Sequence, residues 1–397
     1  MRTLTMTRTI AWSKAHISPT GLVLVALVVL GVVVALMRYA NGIGAISNLS
    51  NTYPWGLWIS FDLLCGVALA AGAFTVAATV YILNLREFRP LLRPAILTGF
   101  LGYLMVVVAL LVDLGRPERI WHLIIYWNPH SVMFEVGWCV MLYTTVLALE
   151  FSPLLFERLH WSGPLRVIHV LTMPLVILGV VLSTLHQSSL GSLFLIVPEK
   201  LHPLWYTPLL PLFFFLSAVA VGLSMVIVES SISSRAFGRG MEVHLLGHLA
   251  RAIPWILGLL LVLKIGDLIA AGELGLLFEG SLTSGLFWLE LVGGVLLPLV
   301  LFALATIRQS STGLLVGALL VVGGVVLNRF DVSLVGLGRP AGSGYFPHWM
   351  EFAITVGIVS AGILAFGLAA KYLPLFSDEH VSPVPADASL KPGEAIG

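Results

Sequence analysis

The sequence predicts an all-α polytopic membrane protein, on three observations: its composition, a recurrence of long apolar runs, and the brevity of what joins them. Of 397 residues, 58% are apolar and 10% charged, against about 45–50% and about 25% in soluble domains. With a mean hydropathy of +1.00, one globule cannot hide the apolar side chains, so most need lipid or another helix beside them. Runs of roughly 17–25 residues, the length that crosses a bilayer, recur about ten times. They lie near 20–37, 55–83, 95–112, 131–150, 167–184, 205–228, 252–271, 284–304, 313–327 and 347–371.

Taken in order, the first run follows Arg2, Arg8 and Lys14 but is longer than a secretory h-region and lacks a small-residue cleavage site, so it reads as a helix. The second carries Asp62. The third starts after Pro90 and Pro94 and closes on Asp113 before Pro117; the fourth follows Pro129 and holds Glu135 four residues after Ser131. The fifth starts after Pro164 and gives way to HQSSLGS from His186, a polar stretch that predicts a re-entrant or broken helix lining a wet cavity. The sixth ends near Glu229, the seventh holds Lys264 and Asp267, the eighth Glu290, and the tenth begins near Glu351; the ninth is the shortest. Three regions follow: an N-terminal tail over 1–19, a membrane region over 20–372, and a Pro- and Ser-rich, disordered tail over 373–397.

Lys and Arg cluster on one side: Arg86, Arg89, Arg93, Arg158, Arg166, Arg235, Arg239 and Arg251, against Arg38, Arg116, Arg119, Lys200, Arg329 and Arg339 on the other. The positive-inside rule then predicts that both termini are cytoplasmic. On that topology Asp62, Asp113, Glu135, His186, Lys264, Asp267, Glu290 and Glu351 share the outer half, while Glu150 and Glu229 lie in the inner half. Ionisable groups at membrane depth cost about 2.5–3.5 kcal/mol on insertion scales, so each is a candidate functional residue. Each also has a plainer reading. Asp113 could form an interfacial ion pair with Arg116 and Arg119; Lys264 and Asp267, three residues apart, could neutralise each other; Asp62, Glu290 and Glu351 could serve as glue between helices.

Several chemistries lack support. Lys and Arg number 21 and Asp and Glu 20, which gives no basic face for nucleic acid. Cys65 and Cys139 cannot supply the four ligands of an iron–sulfur cluster, and no repeated pair of histidines suits a b-haem. Neither a phosphate-binding loop nor zinc-ligand spacing occurs.

The runs YPWGLWISFDLLCG (53–66), LLRPAILTGFLGY (91–103), VDLGRP (112–117), NPHSVMFEV (128–136), LALEFSPLLFERL (147–159), STLHQSSLGSL (183–193), LHPLWY (201–206), VIVES (226–230) and YFPHWMEF (345–352) resemble the NrfD/polysulfide-reductase membrane-subunit family. The likeness is greatest to its ten-helix branch, the HybB-type membrane subunits of hydrogenases, and it covers residues 50–375. It implies two four-helix bundles with flanking helices in the bacterial inner membrane. It also implies a subunit that exchanges electrons between a periplasmic ferredoxin-like iron–sulfur partner and the quinone pool. Menaquinone or ubiquinone would be the exchangeable substrate, with no haem, cluster or metal in this chain. Behind the partner would stand a catalytic module such as a hydrogenase or a molybdenum enzyme. The family's functional positions resemble Tyr103, Glu135, His186 and Glu229 as catalytic and proton-carrying groups, with Asp113 and Arg116 beside them at the quinone. Lys264 and Asp267 stand where the hydrogenase branch has Arg and Glu; charge is kept, but Lys is no bidentate substitute for Arg. A structural anchor and an ion-coupled transporter are the rival readings, and no inverted repeat or paired broken helices favour transport.

Overall fold

Ten helices long and apolar enough to cross a membrane run through the computed structural model, which describes residues 19–51, 53–197, 200–337 and 345–376. They are α1 (Pro19–Asn41), α2 (Trp58–Ile82), α3 (Arg86–Asp113), α4 (Val132–Leu159), α5 (Ser162–Leu195), α6 (Leu210–Ala236), α7 (Val243–Ala271), α8 (Leu282–Ala303), α9 (Ser311–Val335) and α10 (Trp349–Tyr372). Helices α2–α5 form one four-helix bundle and α6–α9 a second. In each, consecutive helices pack and the ring closes, α2 on α5 and α6 on α9. The bundles meet through α2, α5, α6 and α9, while α1 packs on α10, which lies against α3 and α2. The architecture expected from the resemblance, two bundles with flanking helices, is the one found.

The structure departs from the sequence-based expectation at two helices. The ninth run, expected at 313–327, continues to Val335 and takes Arg329 and Asp331 into the helix, where both are 0% exposed. Asn328, Arg329 and Asp331 resemble a loop only until α2, α6 and α8 are packed around them. Likewise HQSSLGS does not break α5, which is helical to Leu195. Ser189 Oγ donates to the His186 carbonyl at 3.1 Å, Ser192 Oγ to Ser188 at 3.3 Å, and Gln187 Nε2 to Val67 of α2 at 3.0 Å. Hydroxyls satisfied by the preceding turn are compatible with a helix at depth, so this polarity faces protein.

Connections alternate between two ends. The loop-rich end carries residues 42–51, 53–57, 114–131, 196–197, 200–209, 272–281, 336–337 and 345–348; there Tyr53 Oη donates to the Leu334 carbonyl at 2.7 Å and Asn48 N to Glu351 at 3.0 Å. The arginine-rich end has shorter connections, and there Arg93 pairs with Glu157 at 2.8 Å. Arg93 also donates to the Pro374 carbonyl at 2.8 Å, and Leu375 is buried, so residues 373–376 dock on this end. Of the expected tails, 1–19 and 373–397, residues 1–18 and 377–397 lie outside the described residues.

Close helix crossings depend on glycine. A Cβ on Gly222 would stand 2.7 Å from the backbone of Ala71, where the bundles meet, and one on Gly324 would stand 2.2 Å from Gly294 Cα, where α9 crosses α8. Small residues allow backbones to approach this closely in lipid, where packing substitutes for the hydrophobic effect. Gly324→Ala is therefore expected to cost about 1–3 kcal/mol, read as a lower Tm in detergent; an unchanged Tm would mean that α8 and α9 separate freely. Three helices also widen into π turns, Trp58–Cys65 and Ala78–Ile82 in α2, Leu289–Leu296 in α8 and Asp331–Val335 in α9. Three of the four widened turns contain an embedded acid, Asp62, Glu290 and Asp331; Ala78–Ile82 does not.

Candidate functional site: two buried polar centres

The first bundle buries Tyr103 of α3 and His186 of α5, both 0% exposed, with Tyr103 Oη 2.8 Å from His186 Nδ1. Local sequence makes this meeting possible. Gly99 and Gly102 on α3 let α2 come close, since a Cβ on Gly102 would reach 2.8 Å from Ala70 Cβ. Tyr143 of α4 packs its ring edge-on to Tyr103 with centroids 4.7 Å apart, and the Ser183 hydroxyl lies beside its phenol. Two buried polar atoms here, His186 Nε2 and Gln187 Oε1, have no hydrogen-bond partner among the described residues, while Tyr143 Oη and Ser183 Oγ have at most each other. Nearly all buried polar groups in folded proteins are paired, so an orphaned set within one bundle marks a place suited to a polar head group.

Along α4, Glu135, Cys139, Tyr143 and Glu150 follow a spacing that keeps one helix face. Glu135 is exposed in the first turn, at the loop-rich end; the half-buried Glu150 lies toward the arginine-rich end beside Gly179, whose Cβ would be 3.7 Å from Glu150 Oε1. Glu229 is half-buried near the same end of α6, with Oε1 unpartnered among the described residues, and lines a cavity of about 60 Å³ with Pro94, Ser233 and Arg239. Of the expected site residues, then, Tyr103 and His186 touch, while Glu135 and Glu229 lie toward opposite ends of the bundles. Sequence reasoning did not single out Tyr143 or Gln187; the four-residue steps from Glu135 through Cys139 to Tyr143 were the available signal.

Asp113 has a different cationic neighbour from the one expected. The chain leaves α3 extended at Leu114, Arg116 is exposed, and no ion pair joins it to Asp113 among the described residues. Arg38 of α1 approaches instead, with its Nε donating to the Val112 carbonyl at 2.7 Å and its guanidinium also to Leu114. Nearby, Asp62 accepts from Thr355 of α10 at 2.6 Å, and Glu351 accepts from the backbone of Asn48 and His348 and from the Tyr345 hydroxyl. Burial and the Glu351 carboxylate hold the Tyr345 phenol above its ordinary range, so it remains a donor.

The second bundle holds a separate centre. Lys264 of α7 ion-pairs with Glu290 of α8, whose oxygens also accept from Asn328 Nδ2 at 3.0 Å and Trp205 Nε1 at 3.1 Å. Asp267 accepts from Thr207 at 2.8 Å. The reading in which Lys264 and Asp267 neutralise each other therefore fails, because packing of α8 on α7 brings Lys264 a carboxylate on the next helix. Lys264 and Asp267 share no contact with the Tyr103–His186 pair.

Fold and site together define a multi-pass helical membrane protein whose two bundles each enclose a polar centre, one built on a tyrosine–histidine pair and one on a lysine–glutamate pair. The family model for polysulphide reductase, NrfD matches residues 45–340, and the chain belongs to that family. A protein of Nitratidesulfovibrio vulgaris is 43% identical over 91% of this chain and 96% of its own length. The probable Ni/Fe-hydrogenase 2 b-type cytochrome subunit of Escherichia coli is 37% identical, covering 88% of this chain and 90% of its own. The integral membrane subunit of menaquinone reductase from N. vulgaris is 31% identical, covering 88% and 89%.

The words "b-type cytochrome" in the name of the second relative sit against the expectation of a haem-free chain. The residues here fit a haem poorly: His186 is engaged with Tyr103, and the imidazoles in ring contact, His244 and His248, lie with centroids 4.1 Å apart, tilted by 51°, on the first turns of α7 rather than facing each other across a macrocycle.

Proposed function

We propose that this chain is the quinone-reactive membrane subunit of a respiratory oxidoreductase complex, with its head-group site at Tyr103 and His186. The observation that carries this reading is the orphaned polar set around a buried Tyr–His hydrogen bond; the names of the relatives, a hydrogenase subunit and a menaquinone reductase subunit, agree with it. Reduction of a quinone takes up two electrons and two protons, and bare oxygen anions in a low-dielectric site need donors. With Tyr103 donating to Nδ1, the His186 ring carries its proton on Nε2, an unpartnered donor suited to a quinone carbonyl. Asp113, with Arg38, flanks the site at the loop-rich end, and Glu135 and Glu229 carry protons toward the two ends. Lys264 and Asp267 stay outside the head-group site.

In this reading the loop-rich end faces the periplasm and receives an iron–sulfur partner, with a hydrogenase or molybdenum module behind it; the exposed Arg116 lies on that end. The arginine-rich end faces the cytoplasm, as the positive-inside rule directs. Purification of the chain in mild detergent, with co-purifying subunits identified and quinone turnover assayed, tests the proposal. An iron–sulfur subunit with inhibitor-sensitive turnover supports it; a stable lone polypeptide without quinone dependence rejects it in favour of an anchor or carrier. Glu229→Gln is expected to slow proton-coupled turnover roughly tenfold or more with the complex still assembled. Wild-type rates from an assembled Gln-bearing complex would remove Glu229 from the proton path.

A further inference from the structure

The charges of the second bundle do not all find partners. Glu290 is saturated by Lys264, Asn328 and Trp205. Arg329 donates to Asn328 Oδ1 at 2.6 Å, the Phe214 carbonyl at 3.1 Å and Ser217 Oγ at 2.9 Å, with its guanidinium 3.6 Å over the Phe214 ring. Asp331 is also 0% exposed, yet neither carboxylate oxygen has a hydrogen-bond partner among the described residues. It opens the π turn of α9, within electrostatic reach of Glu290 and Lys264.

A carboxylate without water or donors carries a heavy desolvation penalty, which proton uptake relieves. The surroundings limit how far that relief goes. Lys264 and Arg329 set two cations against Glu290 and Asp331, so the cluster is neutral when Asp331 is ionised and carries a single positive charge when it is protonated. Neither state leaves more than one charge uncompensated, and a group that loads and unloads a proton needs two such states. From α2, Cys65 lies in electrostatic reach of Arg329 and of Asp62, whose carboxylate is turned to Thr355 of α10; α6 contributes Phe214 and Ser217, and the loop before α2 contributes Tyr53, bonded to the Ser333 and Leu334 carbonyls. A cleft toward the loop-rich end meets the cluster at Lys264 and Asn328, though Asp331 itself does not line it. A cavity of about 20 Å³, room for about one water, is lined by Trp205, Thr207, Lys264, Asp267 and Asn328, with Asp267 only half-buried.

We propose that the second bundle holds a proton-binding site separate from the Tyr103–His186 pair, in which Asp331 exchanges a proton with water at the loop-rich end through the Asp267–Thr207 cleft. The step is a bare proton transfer relayed by Lys264, which lines the cleft and lies within electrostatic reach of Asp331: an O–H bond forms on Asp331 as an N–H bond breaks on Lys264, which regains its proton from a hydronium ion in the cleft, and no electrons move. It stands whether or not the first bundle binds quinone.

Infrared spectroscopy of the full chain in membranes tests it. The wild type is expected to show a protonated-carboxyl C=O band that shifts down in D₂O, moves on ¹³C labelling of aspartate, and is missing from Asp331→Asn. Asp267→Asn is expected to keep the band and slow its deuterium exchange severalfold. An Asp331→Asn spectrum that retains every carboxyl band of the wild type across the pH range overturns the site, and exchange unaffected by Asp267→Asn overturns the route. Should Asp331→Asn fail to accumulate, Asp331→Glu, which keeps the carboxyl on a longer stem, must displace the band; a stationary band is equally fatal.

Discussion

His186→Gln in the assembled complex is expected to lower quinone-dependent turnover by about 10²-fold or more, the range lost with a general acid–base residue. Glutamine keeps a hydrogen-bonding group within reach of the Tyr103 hydroxyl, which is now 2.8 Å from the imidazole, but it cannot pass a proton. Tyr103→Phe removes the other half of the pair, leaving Nδ1 without its partner in a site that is 0% exposed, and is expected to give a smaller loss in the same direction. The measurement is turnover normalised to co-purified partner subunits, with the Tm of each variant as the control for folding. A His186→Gln complex running at wild-type rate would move the quinone chemistry elsewhere in the chain.

The second large effect is on stability. Lys264→Met is expected to destabilise the protein by about 3–5 kcal/mol, the cost of stranding one member of a buried ion pair. Glu290 would keep Asn328 and Trp205 as donors but lose its only ion-pair partner among the described residues. Adding Glu290→Gln removes the stranded charge, so the double variant should recover most of the loss when both are compared by thermal unfolding in detergent. Equal losses in the single and double variants would show that the cost comes from packing against Phe213 and Phe287, whose rings lie 6.0 and 5.6 Å from the Lys264 ammonium.

What the sequence revealed and what it withheld follow from range. Hydropathy is a local sum, so all ten spans were legible, and so was the concentration of Asp62, Glu135, Glu290 and Glu351 near the starts of helices entering from one side. Pairing between helices is not local. Lys264 has Asp267 on its own face three residues away, and nothing in the chain between them says that Glu290 will be pressed closer. For the same reason Arg38, at the last turn of α1, looked like a loop residue, although it sits beside Asp113. The end of α9 was misread because Arg329 and Asp331 lower a windowed hydropathy whether they face water or a packed interior. Tyr103 and His186 were legible as separate functional positions through family resemblance, and Gln187 only as part of the polar HQSSLGS stretch, whereas their contact and the packing of Tyr143 on it are made by the fold alone.

The pairing of α1 with α10, with Gly31 and Gly357 face to face, also bears on how the chain is made. The principal neighbour of α1 is α10, which follows it in synthesis by roughly 300 residues, so α1 waits in the bilayer for on the order of 15–60 s at about 5–20 residues per second. During that interval its glycine face is open to lipid and to any quality-control protease that surveys unpaired helices. Synthesis of α10 thus serves as a timer: chains that stall before residue 349 keep α1 orphaned, and only those that have passed through α10 can seal the flank of the first bundle.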